Sequence, residues 1–324
     1  MSSPATLPGG TRSPARGFAL VVAAALCWGT SGISGDVVAR RGGLQPLEIA
    51  WYRMVIGAVV LIAASLLTRR RRSRTDRRAP LTRATAGQLA VVAAGLATYQ
   101  AAYFAAVATA GVSIATLVAL GLAPPLVAIG SAALGHGRPD RATLLALAVA
   151  LAGLVLLVGT AAGADTGDTV VLGALVAVGC AGAYAAVVVS SGLVPAGVPT
   201  TTAGFTGGAL LLTPLVLATG LHLPGDPVAL AVLVYLGVVP SALAYGLFFA
   251  GVRTVPAAVA AIVTLLEPLT ATVLATAFLG ERLAPAALAG GLLMLAAVAG
   301  LYLRRMGDSN SRGLAPNPLS KRAP

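Results

Sequence analysis

Long apolar runs alternate with short polar loops along almost the whole chain. A membrane-spanning helix needs ~20 mostly apolar residues, and ten runs approach or exceed that length. Thr109-Ala110-Gly111 is the predicted break between the third and fourth runs, and residues 253–256 separate the eighth and ninth. The pattern predicts an all-α integral membrane protein with spans at 18–38, 46–68, 86–109, 112–134, 142–160, 171–193, 203–220, 228–251, 257–279 and 284–303.

The runs repeat themselves across the two halves of the chain. Residues 115–135 and 259–280 are both apolar, with proline near the middle and glycine at the end, at an offset of 144 residues. Residues 46–68 align with 199–221 without a gap, at an offset of 153. Internal repeats of apolar segments are typical of transporters. An odd number of spans per half predicts ten transmembrane helices as two inverted five-helix repeats.

The predicted repeats divide the chain into five parts. The two repeats carry spans 1–5 and 6–10 and are joined by a connecting loop, and a polar segment lies at each end of the chain. The predicted parts are a disordered cytoplasmic N-terminus at 1–16, the first repeat at 17–160, the connecting loop at 161–170, the second repeat at 171–303 and a basic cytoplasmic tail at 304–324.

Composition and charge indicate a membrane location and an orientation within it. Hydrophobic residues make up 57% of the chain and charged residues 10%, against about 25% charged in soluble domains. The net charge of +12 follows from orientation, because a cytoplasmic N-terminus places 18 of the 22 Lys and Arg residues inside. We therefore predict an inner or plasma membrane protein with both termini cytoplasmic. The basic loop Arg69–Arg83 is expected to contact anionic lipid headgroups rather than nucleic acid.

Several kinds of chemistry find no support in the sequence. Cys27 and Cys180 both lie in apolar runs and form no disulfide or metal framework. No glycine-rich phosphate loop follows a strand, so we predict no nucleotide cofactor and no metal. A membrane enzyme would need a catalytic constellation at one membrane face, and the spans hold only two central charges. We expect no enzymatic activity, and the sequence leaves a homodimer open.

Several short motifs carry a resemblance to a known family. The second half contains Ser241-Ala242-Leu243-Ala244-Tyr245, Glu267-Pro268 and Gly280-Glu281-Arg282, and the first half contains Trp28-Gly29, Arg53 and Pro124. With these features the chain resembles the EamA domain of the drug/metabolite transporter superfamily over about 17–303. The resemblance implies ten spans around a central cavity, with the fifth and tenth peripheral. One position departs from the pattern, since His136 stands where the second repeat has Glu281.

Arg53 and Glu267 are the charges predicted to lie within spans. Charge inside a membrane is costly and marks candidate sites, so Arg53 is a candidate for binding a carboxylate. Its alternatives are snorkelling outward or pairing with Glu48, nearly one turn away. Glu267 precedes Pro268 and is a candidate for a substrate amine or a coupling proton. Its alternatives are a structural hydrogen bond or a pair with Arg53. As a hypothesis, the two charges hold the two ends of a zwitterion.

Aromatic and amide side chains form a second candidate group. Several share one helical side, which favours an aromatic-lined pocket, while packing or an interface belt is the alternative. Three prolines are predicted to kink their spans and to serve in gating. The predicted substrate or proton-binding residues are Arg53, Glu267, Trp28, Tyr99, Gln100, Tyr103, Tyr184 and Tyr245, and the predicted kinks are Pro124, Pro240 and Pro268.

These observations predict a secondary transporter of a small polar or amphipathic, amino-acid-like metabolite, an exporter that works by alternating access. A channel or a lipid flippase is the main alternative, and a membrane-embedded sensor is a further one. The sequence names neither the substrate nor the coupling ion.

Overall fold

The structure is a computed structural model that describes residues 14–69, 82–135, 138–158, 168–195, 197–279 and 284–313. Within these ranges the secondary structure consists of helices joined by loops and turns. The helices are α1 (Pro14–Gly29), α2 (Ser31–Gly42), α3 (Pro46–Arg69), α4 (Arg83–Ala133), α5 (Arg141–Val158), α6 (Asp168–Leu193), α7 (Thr200–Thr219), α8 (Pro227–Leu236), a π-helical turn (Gly237–Leu243), α9 (Ala244–Val252), α10 (Ala257–Val263), α11 (Leu266–Leu279) and α12 (Pro285–Gly313).

Most of these helices have the length and composition of membrane spans. Within the described ranges, nine helical segments are long and apolar enough to cross a membrane, and Arg141–Leu157 is a shorter apolar helix. Many leucines on the outer surface are exposed, among them Leu145 at 67% and Leu292 at 68%. Such a surface suits lipid rather than water. The chain is a multi-pass membrane protein.

The first predicted span is two helices rather than one. α1 ends at Gly29 and α2 begins at Ser31. The hydroxyl of Thr30 donates to the carbonyl of Cys27 at 2.7 Å and is held by the hydroxyl of Tyr235 at 2.9 Å. These side-chain bonds compete with regular helix geometry at the junction.

The backbone of α4 is helical across Thr109-Ala110-Gly111, but the predicted boundary between two spans does fall there, between the candidate spans Arg83–Val107 and Ile114–Ala133. The hydroxyls of Tyr103 and Thr116 lie 2.9 Å apart. A straight helix would separate these residues by about 20 Å along its axis. The helix therefore bends sharply between them, and its two parts, 83–107 and 114–133, lie side by side.

The eighth and ninth predicted spans are also interrupted. The stretch around Pro240 forms a π-helical turn, in which the hydroxyl of Ser241 donates to the carbonyl of Leu236 at 2.7 Å. A further break separates α10 from α11 at Thr264, just before Glu267-Pro268. Proline has no N–H to continue the helical ladder. The carbonyl of Thr264 accepts instead from the backbone N–H of Glu267, at 2.9 Å.

Helices of the first half pack on helices of the second half. α1 contacts α9, α3 contacts α7, α5 contacts α12, and α6 contacts both parts of α4. Glycines allow the closest approaches: a Cβ atom added to Gly290 would lie 2.5 Å from the carbonyl oxygen of Gly153. The main core runs through the interface between the halves, where Met54, Leu96, Phe248 and Ile262 are buried.

Several predicted features lie outside the described residues. These are residues 1–13, residues 70–81 of the basic loop Arg69–Arg83, His136, residues 161–167 of the connecting loop predicted at 161–170, Glu281 with Arg282, and the tail from residue 314. The last helix extends to Gly313, well past the predicted end of the tenth span at residue 303.

Candidate substrate site

A cavity of about 460 Å³ lies among the helices. It is walled by α1 and α2, α3, both parts of α4, α6, α9 and α11. Eight of its lining residues are the predicted substrate or proton-binding set, and Pro268 lines it too. The members of that set are Arg53, Glu267, Trp28, Tyr99, Gln100, Tyr103, Tyr184 and Tyr245.

Arg53 reaches the cavity from the first two turns of α3. Its Nε donates to the hydroxyl of Ser241 at 3.2 Å, which fixes the guanidinium against the π-helical turn. The alternative pairing with Glu48 is wrong. Glu48 is 2% exposed and accepts from the backbone N–H of Gln45 at 2.7 Å and from the backbone N–H of His222 at 3.1 Å. Arg53 is therefore held beside the cavity by a neutral partner.

Glu267 enters the cavity from the first turn of α11. The break at Thr264 ends α10 and lets a new helix begin, so that the carboxylate lies near a helix N-terminus. The exposed backbone N–H groups at such an end favour a negative charge. Arg53 and Glu267 line one cavity from opposite halves of the chain, which gives the site a guanidinium and a carboxyl group.

Aromatic rings form much of the remaining wall. Trp28 packs edge-on against Tyr245 with ring centroids 4.8 Å apart, and Tyr99 stacks on Tyr103 at 6.4 Å. Tyr99 also lies 5.4 Å from Tyr184. Tyr103 and Tyr245 line the cavity, so these two rings do more than pack against neighbouring helices. An apolar wall with a few polar groups is the usual form of a small-molecule site.

Three buried polar atoms at this cavity have no hydrogen-bond partner among the described residues. They are Nε1 of Trp28, Oγ of Ser31 and the hydroxyl oxygen of Tyr184, and all three residues line the cavity. A buried polar group without a partner costs about 1–3 kcal/mol, and so such groups normally have one. One N–H donor and two hydroxyls are thus available to a ligand beside Arg53 and Glu267.

The structure also adds residues that the sequence prediction missed. Ser31, Asp36, Thr116, Thr264 and Thr272 line the cavity. A single hydroxyl residue in an apolar run does not indicate which side of the helix faces the cavity. Most of these residues could therefore not be predicted from the sequence. Pro124 and Pro240 lie within helical segments but do not line this cavity, and their gating role stays a prediction.

Comparison with known proteins agrees with this architecture. The model of the EamA-like transporter family matches residues 15–159 and again 167–303. A Bacillus subtilis (strain 168) protein, the uncharacterized transporter YwfM, is 30% identical over 258 residues, covering 78% of this chain and 82% of that protein. A protein known from a crystal structure shares the fold, with a TM-score of 0.75 and 23% identity over 90% of this chain and 97% of its own. The chain is a membrane transporter and belongs to the EamA-like transporter family.

Proposed function

We propose that this chain is a secondary transporter that exports a small zwitterionic, amino-acid-like metabolite across the cytoplasmic membrane. The observation that carries the proposal is the meeting of Arg53 and Glu267 at one cavity. A guanidinium suits a carboxylate because it donates two parallel hydrogen bonds. A carboxylate suits an ammonium group. The aromatic wall would accommodate the apolar part of the substrate.

The proposal includes ten spans in two inverted repeats. Besides the nine longer segments, α5 would be the remaining span and the fifth along the chain, since 18 residues of helix extend about 27 Å, close to the ~30 Å hydrocarbon core. Reciprocal contacts support a two-fold relation. α1 packs on α9, and its repeat partner α6 packs on the first part of α4, which is the repeat partner of α8 and α9.

Positions related by the repeat also meet at the cavity. At the offset of 153 residues Ser31 corresponds to Tyr184, and at the offset of 144 Leu120 corresponds to Thr264. All four line the cavity. This supports a pseudo-two-fold axis that passes through the cavity, the place where inverted-repeat transporters hold their substrates.

The predicted orientation determines the side of the membrane to which the cavity opens. With both termini in the cytoplasm, the junction of α2 and α3 at residues 43–45 lies outside. Asp36, Ala39 and Pro46, which are near that junction, line the cavity. In the proposed topology, the structure is therefore an outward-facing state. Alternating access would close this side and open the other.

Metabolite profiling of the medium tests export. Cells would make the wild type, Glu267→Gln or no protein, with membrane levels matched by immunoblot. We expect at least one amine-containing acid to be enriched outside only with the wild type. Equal profiles in all three would contradict export. A profile shared by the wild type and Glu267→Gln would keep export and contradict the role of Glu267.

The channel and flippase alternatives are separated by reconstitution. A carrier exchanges a labelled substrate for an unlabelled one trapped in liposomes, whereas a channel shows no such counterflow. A flippase would move a fluorescent phospholipid between leaflets instead. We expect exchange of a small solute and no acceleration of lipid movement.

A further inference from the structure

A second recess, of about 420 Å³, lies at the other end of the molecule between α4, α6 and the α9–α10 junction. Its wall includes Ala128, Val189 and Gly192. At the repeat offsets of 144 and 153 residues, these three positions correspond to Thr272, Asp36 and Ala39. All three of those counterparts line the central cavity. Part of the recess wall is therefore built from repeat counterparts of residues at the outer end of the cavity.

The packing between the recess and the cavity differs from that at the outer end. Gly35 and Ala271 line the cavity, and a Cβ atom added to Gly35 would meet nothing within 4 Å. Their repeat counterparts are Val188 and Val127, which are both 0% exposed within the main core. Small residues stand where the path is open, and branched apolar residues stand at the equivalent closed positions.

Residues close to Val127 and Val188 in the chain define the seam where α4, α6 and α9 meet. Gly192 lies beside Val252, whose Cγ1 would be 3.7 Å from an added Cβ atom, and Gly130 lies beside Val189 in the same way at 3.5 Å. α6 thus packs against α9 on one side and against the second part of α4 on the other. Opening this seam would join the recess to the cavity.

We infer that the recess is the cytoplasmic mouth of the substrate path and that Val127 and Val188 form the apolar barrier which closes it. This inference rests on the proposed alternating-access function. The barrier excludes water and solute because buried branched side chains fill the space that glycine and alanine leave free at the outer end. Removing methyl groups from it destabilises the closed inner seam relative to an inward-open state.

The test uses one reporter cysteine at Thr264→Cys, deep in the cavity, in a background with Cys27→Ala and Cys180→Ala. A membrane-impermeant maleimide is applied to whole cells and to inside-out vesicles. We expect labelling from the outer side only in this background. Adding Val188→Ala or Val127→Ala should raise the rate of labelling from the cytoplasmic side about tenfold, a shift of about 1.4 kcal/mol in the two-state equilibrium.

Val187→Ala is the matched control. Val187 is also 0% exposed, but its Cγ2 faces Gly95 in the first part of α4, away from the seam. We expect no rise in cytoplasmic labelling with this variant. An equal rise with Val187→Ala, or no rise with either barrier variant, would overturn the inference.

The labelling pattern also tests the barrier and the proposed alternating access separately. Labelling of the reporter from both sides without any barrier substitution would indicate a continuous pore. Both the barrier and the proposed alternating access would then be wrong. Labelling from outside only, unchanged by Val188→Ala and Val127→Ala, would overturn the barrier alone and leave the transporter proposal standing.

Discussion

Nε of Arg53 donates a hydrogen bond to the hydroxyl of Ser241, 3.2 Å away, and that hydroxyl donates to the carbonyl of Leu236 at 2.7 Å. The carbonyl belongs to the residue five positions earlier, so the π-helical turn is what places the hydroxyl. A charged side chain in a membrane protein is thus positioned by a neutral group from the other half of the chain. In the proposed function, its charge binds the carboxylate of the substrate.

Ser241→Ala should weaken transport without abolishing it. The substitution removes the partner that orients Arg53, and a hydrogen bond to a charged group contributes about 1.5–3 kcal/mol. We expect the KM for a carboxylate-bearing substrate to rise about tenfold or more while the protein stays folded. Ser241→Thr, which keeps the hydroxyl, is the control. An unchanged KM in Ser241→Ala would show that Arg53 needs no such positioning.

Glu48→Gln should lower thermal stability and leave substrate affinity unchanged. Besides its two backbone bonds, the Glu48 carboxylate lies 2.9 Å from Nδ1 of His222, so it ties α3 to the loop before α8. Losing charge-assisted bonds at a buried site costs about 1–3 kcal/mol. The measurement is the melting temperature in detergent.

Arg304→Gln is the comparison for Glu48→Gln, because the Arg304–Asp140 pair is about half exposed on both sides. Exposed pairs contribute about 0–1 kcal/mol, so we expect little change. Equal melting temperatures for the two variants would contradict a structural role for Glu48.

Gly290→Ala should destabilise the contact between α5 and α12. The added Cβ would lie 2.5 Å from the carbonyl oxygen of Gly153, so the two helices must move apart. Gly300 is on the same helix with nothing within 4 Å of an added Cβ, and alanine is favoured over glycine there by about 0.8–1 kcal/mol. Melting temperatures should therefore fall for Gly290→Ala and stay level or rise for Gly300→Ala. A melting temperature that fell by the same amount in both variants, or rose in both, would contradict the close packing at Gly290.

Single cysteines test the orientation. Leu223 is 64% exposed in the loop before α8, and Arg138 is exposed before α5. With both termini cytoplasmic, an impermeant maleimide should label Leu223→Cys in intact cells and Arg138→Cys only after permeabilisation. The reverse pattern would invert the topology and turn the cavity toward the cytoplasm.

Hydropathy predicted the helical segments because lipid imposes nearly the same length and apolar composition on each of them. It did not predict that α4 stays helical across Thr109-Ala110-Gly111 while bending, since the bend depends on contacts such as Tyr103–Thr116. Charge singled out Arg53 and Glu267, both of which line the cavity, because a charged side chain in a membrane span is costly unless it faces a polar space. Ser31 and Thr264 were missed because a hydroxyl is tolerated on any side of a membrane helix.

The central claim is that Arg53 and Glu267 together bind one zwitterion. Counterflow in proteoliposomes tests it most directly, with the wild type, Arg53→Gln and Glu267→Gln loaded with unlabelled L-amino acids and exposed to the isotope-labelled mixture. We predict that at least one amino acid accumulates with the wild type and that neither variant accumulates it, although both remain folded with unchanged elution in gel filtration. Accumulation of the same amino acid by both variants would contradict the claim.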